Sequence, residues 1–446
     1  MNPIGVYMPN KKNILLKSPL WLLRGVAVGL CVGLAMTLFT NSISFVSSFR
    51  ASHSWMLFFI PLGATLTAYV FHIAGHSLEK GTTLAIDVIN EQINVALFPT
   101  RRENPAPESD VSERVPLRLA PIVFIFSVIS HAVGASAGKE GGGVQIGTSI
   151  ASGLIRFEKK LATWLHMDRA VEENQESLES QQRDKGLWLI CGAGAAFGAL
   201  FNAPVAGTVF GMQVASPRVN RLEALAPCLT ASFISTYIAS FAGIQYHHFL
   251  PVVDIASTPT NIFYLIIAAV CFGLFSRVFC WSGSRAKAIA THIGNPLARA
   301  GIVSTILLAM TGVEWFVLGA TPFNGLGYEL IDNAMHEAMN PAVPWLKLLF
   351  TVITLAAGFK GGEIVPILVC GSTLGSVLAP WLGLPVSTMA MCGALGMLSG
   401  STKLPIVCFI LGLEMFGVAD PTVLFIVCAI GYLTSGGKGI YEKQIV

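Results

Sequence analysis

Several stretches of this chain run for 18 residues or more without Asp, Glu, Lys or Arg, among them Gly25 to Phe49, Ser54 to Phe71, Leu119 to Gly138, Ala224 to Tyr246 and Ile255 to Ser276. A helix rises about 1.5 Å per residue, so roughly 20 apolar residues cross the hydrocarbon of a bilayer. Only 12% of the 446 residues are charged and 53% are hydrophobic, too little polar surface to clothe a water-soluble body of this size. The expected class is therefore all-α, a polytopic membrane protein whose first partner is the lipid bilayer.

Lys11, Lys12 and Lys17 precede the first apolar run, which places the N-terminus on the cytoplasmic side of the cell membrane. That run is too long for a cleavable signal and lacks a small-residue cleavage site. The net charge of +3 gives no reason to expect a nucleic-acid partner. None of the nine cysteines forms a CxxC pair, and Cys191, Cys370, Cys392, Cys408 and Cys428 sit in apolar surroundings. Neither disulfides nor a metal site are expected, and no cofactor is implied.

Two segments are aqueous in character: Arg101 to Arg118, and Phe157 to Lys185, the latter either an amphipathic surface helix or a loop. Four apolar segments look too short or too interrupted to span alone: Gly141 to Ile155, Ala203 to Ala215, Glu363 to Leu378 and Leu404 to Phe416. Half-helices in a membrane are tolerated where their ends face protein or a water-filled path, which points to a transporter or channel. CGAGAAFGALFNAP (Cys191 to Pro204) aligns with CGALGMLSGSTKLP (Cys392 to Pro405) at a shift of 201 residues. GKEGGGVQIGTS (Gly138 to Ser149) aligns with GEIVPILVCGST (Gly362 to Thr373) at a shift of 224. Two related halves are expected within one domain spanning 1–446, the first at about 20–246 and the second at about 255–446, with a site where they meet.

The Gly138 to Ser149 stretch places one acid, Glu140, among glycines at the start of a helix. Gly138, Gly141 and Gly142 allow a tight turn and close approach, and the free N–H groups of the helix start attract an anion. A carboxylate there can fill that site itself and swing away once protonated, so it would act as both gate and proton carrier. The plainer alternative is a helix cap paired with Lys139. Ionisable groups at membrane depth are costly and usually functional, which favours the gate. His131, in an apolar run, is expected to be a packed, hydrogen-bonded side chain.

GKEGGGVQIG resembles the G-[KR]-E-G-x-x-x-Q motif of the CLC chloride channels and transporters. FNAPVAG (Phe201 to Gly207) resembles that family's next signature, GGEIVP (Gly361 to Pro366) its G-x-F-x-P region, and Tyr441 stands where the family has an anion-coordinating tyrosine. The resemblance implies the CLC fold: a homodimer with one anion path per subunit, inverted repeats, and broken helices that meet at the ion. The departures resemble the fluoride/proton antiporter branch. EKGTTLAIDVI replaces the family's G-S-G-I-P, with Thr82 for the central serine. GFKGGE (Gly358 to Glu363) carries an additional acid, and the chloride exchangers' inner glutamate is replaced by Val214, next to Gln213. The branch's usual threonine before the proline is here Val365, with Ile364 beside it.

Fluoride holds water tightly, so a site for it must supply close hydrogen-bond donors. Half-helix N–H groups and the hydroxyls of Thr82 and Tyr441 are the candidates, around Ile364 and Val365. Glu363 serves an anion only when protonated, and its alternative role is an ion pair with Lys360. The resulting expectation is a proton-coupled antiporter that exports fluoride, with Glu140 and Glu363 as gating and proton-transfer residues. A chloride/proton exchanger or passive chloride channel on the same fold is the alternative. An enzyme is not expected: GAGAAFG (Gly192 to Gly198) has the wrong spacing for a dinucleotide fingerprint, and GxxxxGK[ST] and HExxH are absent.

Overall fold

The computed structural model describes residues 11–75, 81–97, 111–164, 175–216, 222–244, 246–247, 252–253, 255–256, 258–417 and 420–444. Glu79 and His248 lie outside these residues, as do 101–110 and 165–174 of the two aqueous segments.

The described chain is helical throughout, apart from loops and one isolated backbone bridge. The first group comprises α1 (Lys11–Ser52), α2 (Ile60–Ala74), α3 (Thr82–Leu97), α4 (Val111–Arg114) and α5 (Leu119–Ala132). It is followed by α6 (Glu140–Trp164), α7 (Gln175–Phe201), α8 (Pro204–Gln213) and α9 (Leu225–Phe241). The second group runs α10 (Pro259–Thr291), α11 (Pro296–Leu318), α12 (Tyr328–His336) and α13 (Val343–Ala356). It closes with α14 (Ile364–Leu382), α15 (Val386–Thr402), α16 (Pro405–Phe416) and α17 (Pro421–Thr434). Proline stands in the first turn of α8, α10, α11, α16 and α17, where its missing N–H has no intrahelical partner to lose. Asn295 and Asp420 cap α11 and α17 by accepting from backbone N–H groups of the first turn.

Among the described residues, six helices or helix runs are long and apolar enough to span, including Pro296–Leu318, which the sequence runs did not single out. Two expectations need correction. Leu119 to Gly138 is not one spanning helix: α5 ends at Ala132, and residues 133–139 form a buried, non-helical lead into α6. Gly134, with φ of 92°, turns the chain away from the helix axis just after that end. Conversely, the segments starting at 141 and 363 are not half-helices, because α6 has 25 residues and α14 has 19. The expectation holds for α8 and α16, with 10 and 12 residues, which reach only about 15 and 18 Å of a roughly 30 Å hydrocarbon layer. The segment from Phe157 is helical in its described parts, as the end of α6 and the start of α7.

The repeated motifs fall on equivalent elements. A Cβ on Gly147 of α6 would lie 2.8 Å from Ala196 Cβ of α7, and one on Gly192 would lie 2.8 Å from Ala151 Cβ. At the positions shifted by 224 and 201, a Cβ on Gly371 of α14 would lie 2.9 Å from Ala394 Cα of α15, and one on Gly393 would lie 3.0 Å from Gly375 N. Both helix pairs touch backbone to backbone through glycine. Among the described residues the two non-glycine positions with positive φ are Asn202 (54°) and Lys403 (61°), again 201 apart. Each turns the chain from a long helix into a half-length one headed by proline.

Candidate functional site

The site lies where α6 and α14 begin. Gly138 N donates to Gly362 O at 2.7 Å, and Gly362 N donates to Gly138 O at 2.6 Å. These are the first aligned glycines of the two repeats, and the pairing brings both helix N-termini to one point. The free N–H groups and positive dipole ends of two helices therefore converge. The approach is close: a Cβ on Gly141 would lie 3.1 Å from Gly361 O and from Gly362 Cα. A side chain on Gly142 would instead meet Ser127 Oγ and Phe39, so this glycine fits α6 against α5 and α1. The lead into α6 is tied down by Ser136, whose N donates to Thr354 Oγ1 at 3.1 Å.

Glu140, the first residue of α6, is fully buried. Its carboxylate faces the N–H groups of its own turn and of Val365, and neither oxygen has a hydrogen bond of ordinary geometry. The acid thus occupies the cradle that two helix starts offer to an anion. Val365 is itself fully buried and brings a backbone N–H, without a side-chain donor.

A cavity of about 190 Å³ opens beside Glu140. Thr82, Gly141, Lys287, Lys360, Glu363, Ile364 and Tyr441 are on its wall. Gly138, Gly142 and Val365 stand behind that wall. Thr82 Oγ1 donates to Gly141 O at 3.2 Å, which holds the start of α3 against α6. Tyr441 sits on the C-terminal strap: Ile440 N donates to Ser401 O at 2.8 Å, and Asn90 Nδ2 of α3 donates to Lys443 O at 2.9 Å. Gln444 Nε2 donates to Val214 O at 3.1 Å, just past the end of α8. Five stretches distant in sequence, around positions 82, 141, 287, 360 and 441, are gathered round one opening.

Glu363 differs from the sequence expectation. The cation it meets is Lys287 of α10, Nζ to Oε1 3.4 Å, and not Lys360. Lys360 Nζ lies 4.0 Å from the centre of the Phe71 ring. Sequence reasoning missed Lys287 because it is 76 residues from Glu363, with no motif around it. The one signal available was a lysine on the polar end of a long apolar helix. His131 is packed as expected, buried with Nδ1 2.7 Å from Ser127 O. Among the described residues no group of three His, Cys, Asp or Glu side chains is placed to hold a metal ion.

The family profile "Voltage gated chloride channel" matches residues 106–436. The chain belongs to this family. A "Chloride/fluoride channel protein" of Pseudomonas syringae pv. tomato (strain ATCC BAA-871 / DC3000) is 28% identical over 443 residues, covering 98% of this chain and 89% of that protein. The crystal structure of a CLC-type fluoride/proton antiporter is similar with a TM-score of 0.81 and 27% identity, covering 98% of this chain and all of that one. A slow cyanobacterial Cl⁻/H⁺ antiporter is similar in fold, with a TM-score of 0.71 and 20% identity over 94% of this chain and 96% of that one. The CLC fold, with its inverted repeat and half-length helices, accounts for the architecture described above, and the protein is a multi-span membrane protein of that family.

Proposed function

We propose that this CLC protein exchanges fluoride for protons and so exports fluoride from the cytoplasm. The observation that carries the proposal is the Glu140 carboxylate lying in the cradle formed by the starts of α6 and α14. An anion can enter only if that carboxylate leaves, and it leaves most readily when a proton cancels its charge. One residue then serves anion and proton in turn, which is what exchange requires. Glu363 stands at the mouth of the same cavity and, once protonated, becomes a hydrogen-bond donor where Thr82 and Tyr441 hydroxyls already line the wall. Strong donors at short range are what a small, tightly hydrated anion needs. Similarity to a fluoride/proton antiporter over nearly the whole chain supports the choice of ion.

Further parts of the proposal follow from the sequence and the family. The chain forms one domain of two related halves, about 20–246 and 255–446, and works as a homodimer in the cell membrane. The N-terminus is cytoplasmic. The protein moves ions and makes no covalent change in them.

A second reading, a chloride/proton exchanger or passive chloride channel, is favoured by one observation: position 365 is valine, so the hydroxyl that the fluoride branch carries there is missing. Purified protein in liposomes loaded with fluoride separates the readings, with an ion-selective electrode for the anion and a lumenal dye for protons. Fluoride efflux that drives protons inward is expected. Anion efflux without proton movement, or chloride efflux that outpaces fluoride, replaces the proposal with the second reading.

A further inference from the structure

Lys287 is a cation at the mouth of the cavity that no motif accounts for. It lies near the C-terminal end of α10, and its side chain is 46% exposed, against 18% for its partner Glu363. Glu442, on the strap that carries Tyr441, is near enough to act on the same ammonium. At 3.4 Å, half open to water, the Lys287–Glu363 pair is long and weakly held, because solvent and salt compete with it. The wall behind it carries Thr82, Tyr441 and the start of α14. Any anion reaching the helix starts from this side passes within range of the Lys287 ammonium.

We infer that Lys287 is the anion-receiving residue at this mouth, giving up its bond to the Glu363 carboxylate for one to the incoming ion. The inference rests on the anion-transport reading above. The exchange has a consequence for Glu363. With its counter-ion engaged by the anion, the carboxylate stands beside a negative charge and must take a proton. Protonated, it turns from an obstacle into a donor. Lys287 would thus time the protonation of Glu363 to the arrival of the anion. It positions and recruits, while Glu140 remains the gate.

The test compares wild type, Lys287→Gln and Lys287→Arg as full-length protein in liposomes, with fluoride on the cavity side. Lys287→Gln is expected to raise the fluoride concentration for half-maximal transport roughly two- to fivefold, the range of a solvent-exposed charge contact, with little change in the saturated rate. Lys287→Arg should restore the wild-type value. The wild-type rate at low fluoride should fall as an impermeant salt is raised, and that dependence should flatten in Lys287→Gln. A lower saturated rate at unchanged half-saturation makes Lys287 a structural staple and overturns the inference. A wild-type rate indifferent to ionic strength overturns it too, without need of a variant. If the wild type carries chloride and not fluoride, the fluoride reading fails by itself, and the same comparison made with chloride decides the role of Lys287.

Discussion

The two oxygens of Glu140 sit buried among N–H groups that an anion would otherwise occupy. In the proposed exchange the side chain competes with the anion for one site, and its charge decides the contest. Glu140→Gln keeps the shape, removes the charge and carries no proton. It is expected to leave anion flux intact or faster while abolishing proton movement, as measured by paired electrode and pH recordings. Proton pumping by that variant under a fluoride gradient would remove Glu140 as the carrier. Val365, fully buried in the first turn of α14, tests the other half of the chemistry. Valine and threonine are nearly equal in volume, but only threonine brings a hydroxyl, and a neutral hydrogen bond contributes about 0.5–1.5 kcal/mol net. Val365→Thr should lower the fluoride concentration for half-maximal flux by a few-fold to roughly tenfold. An unchanged fluoride-to-chloride ratio would show that this position does not read the ion.

At the scale of the elements, glycine sets how close the helices come. In the α6–α7 and α14–α15 pairs the atoms facing Gly192 and Gly393 are largely backbone, which cannot rotate aside. Gly192→Ala and Gly393→Ala should each destabilise the protein by about 1–3 kcal/mol, the usual cost of overpacking. Both should lower the unfolding temperature in detergent by similar amounts, since the two contacts are repeat equivalents. A large effect at one site and none at the other would mean the halves are not mechanically alike. The half-length helices are held across the repeats. Glu414 of α16 accepts from Val205 N at 2.9 Å and Ala206 N at 2.8 Å, capping the start of α8 with a carboxylate from the other half.

For the molecule as a whole, those half-length helices pose a surface problem. Val205 on α8, Ile406 on α16 and Phe425 on α17 are exposed, and α8 packs against α16 close to this face. Helix ends part-way through the bilayer are tolerated only under protein cover. A second copy of the chain, laid over α8, α9, α16 and α17, would provide that cover. The mass of the detergent-solubilised protein by light scattering should correspond to two chains, and replacement of Ile406 and Phe425 by tryptophan should loosen the pair. A single-chain mass for the unmodified protein would leave the lipid to cover these ends and remove the argument for a dimer.

What the sequence determined by itself is what short-range chemistry dictates. Long runs without charge force membrane helices, because a charge at membrane depth costs too much to be scattered freely. Proline at helix starts marked α8 and α16, since it fills positions where the N–H has no partner. The glycine-rich stretch around Glu140 marked a helix start with an acid at its head, and its repeat partner at Gly362 was legible because the two stretches align. Only the tertiary structure decided that these two glycines bond to each other, that the run from Leu119 breaks at Ala132, and that α6 and α14 run longer than their interrupted sequences suggest. Buried polar backbone in the loop 133–139 survives because distant groups satisfy it, Thr354 and Gly362 among them, and no local pattern announces such partners. Lys287 is the sharpest case. An ion pair is set by distance in space, and a sequence separation of 76 carries no trace of the 3.4 Å between the charges of Lys287 and Glu363 once α10 packs against α14.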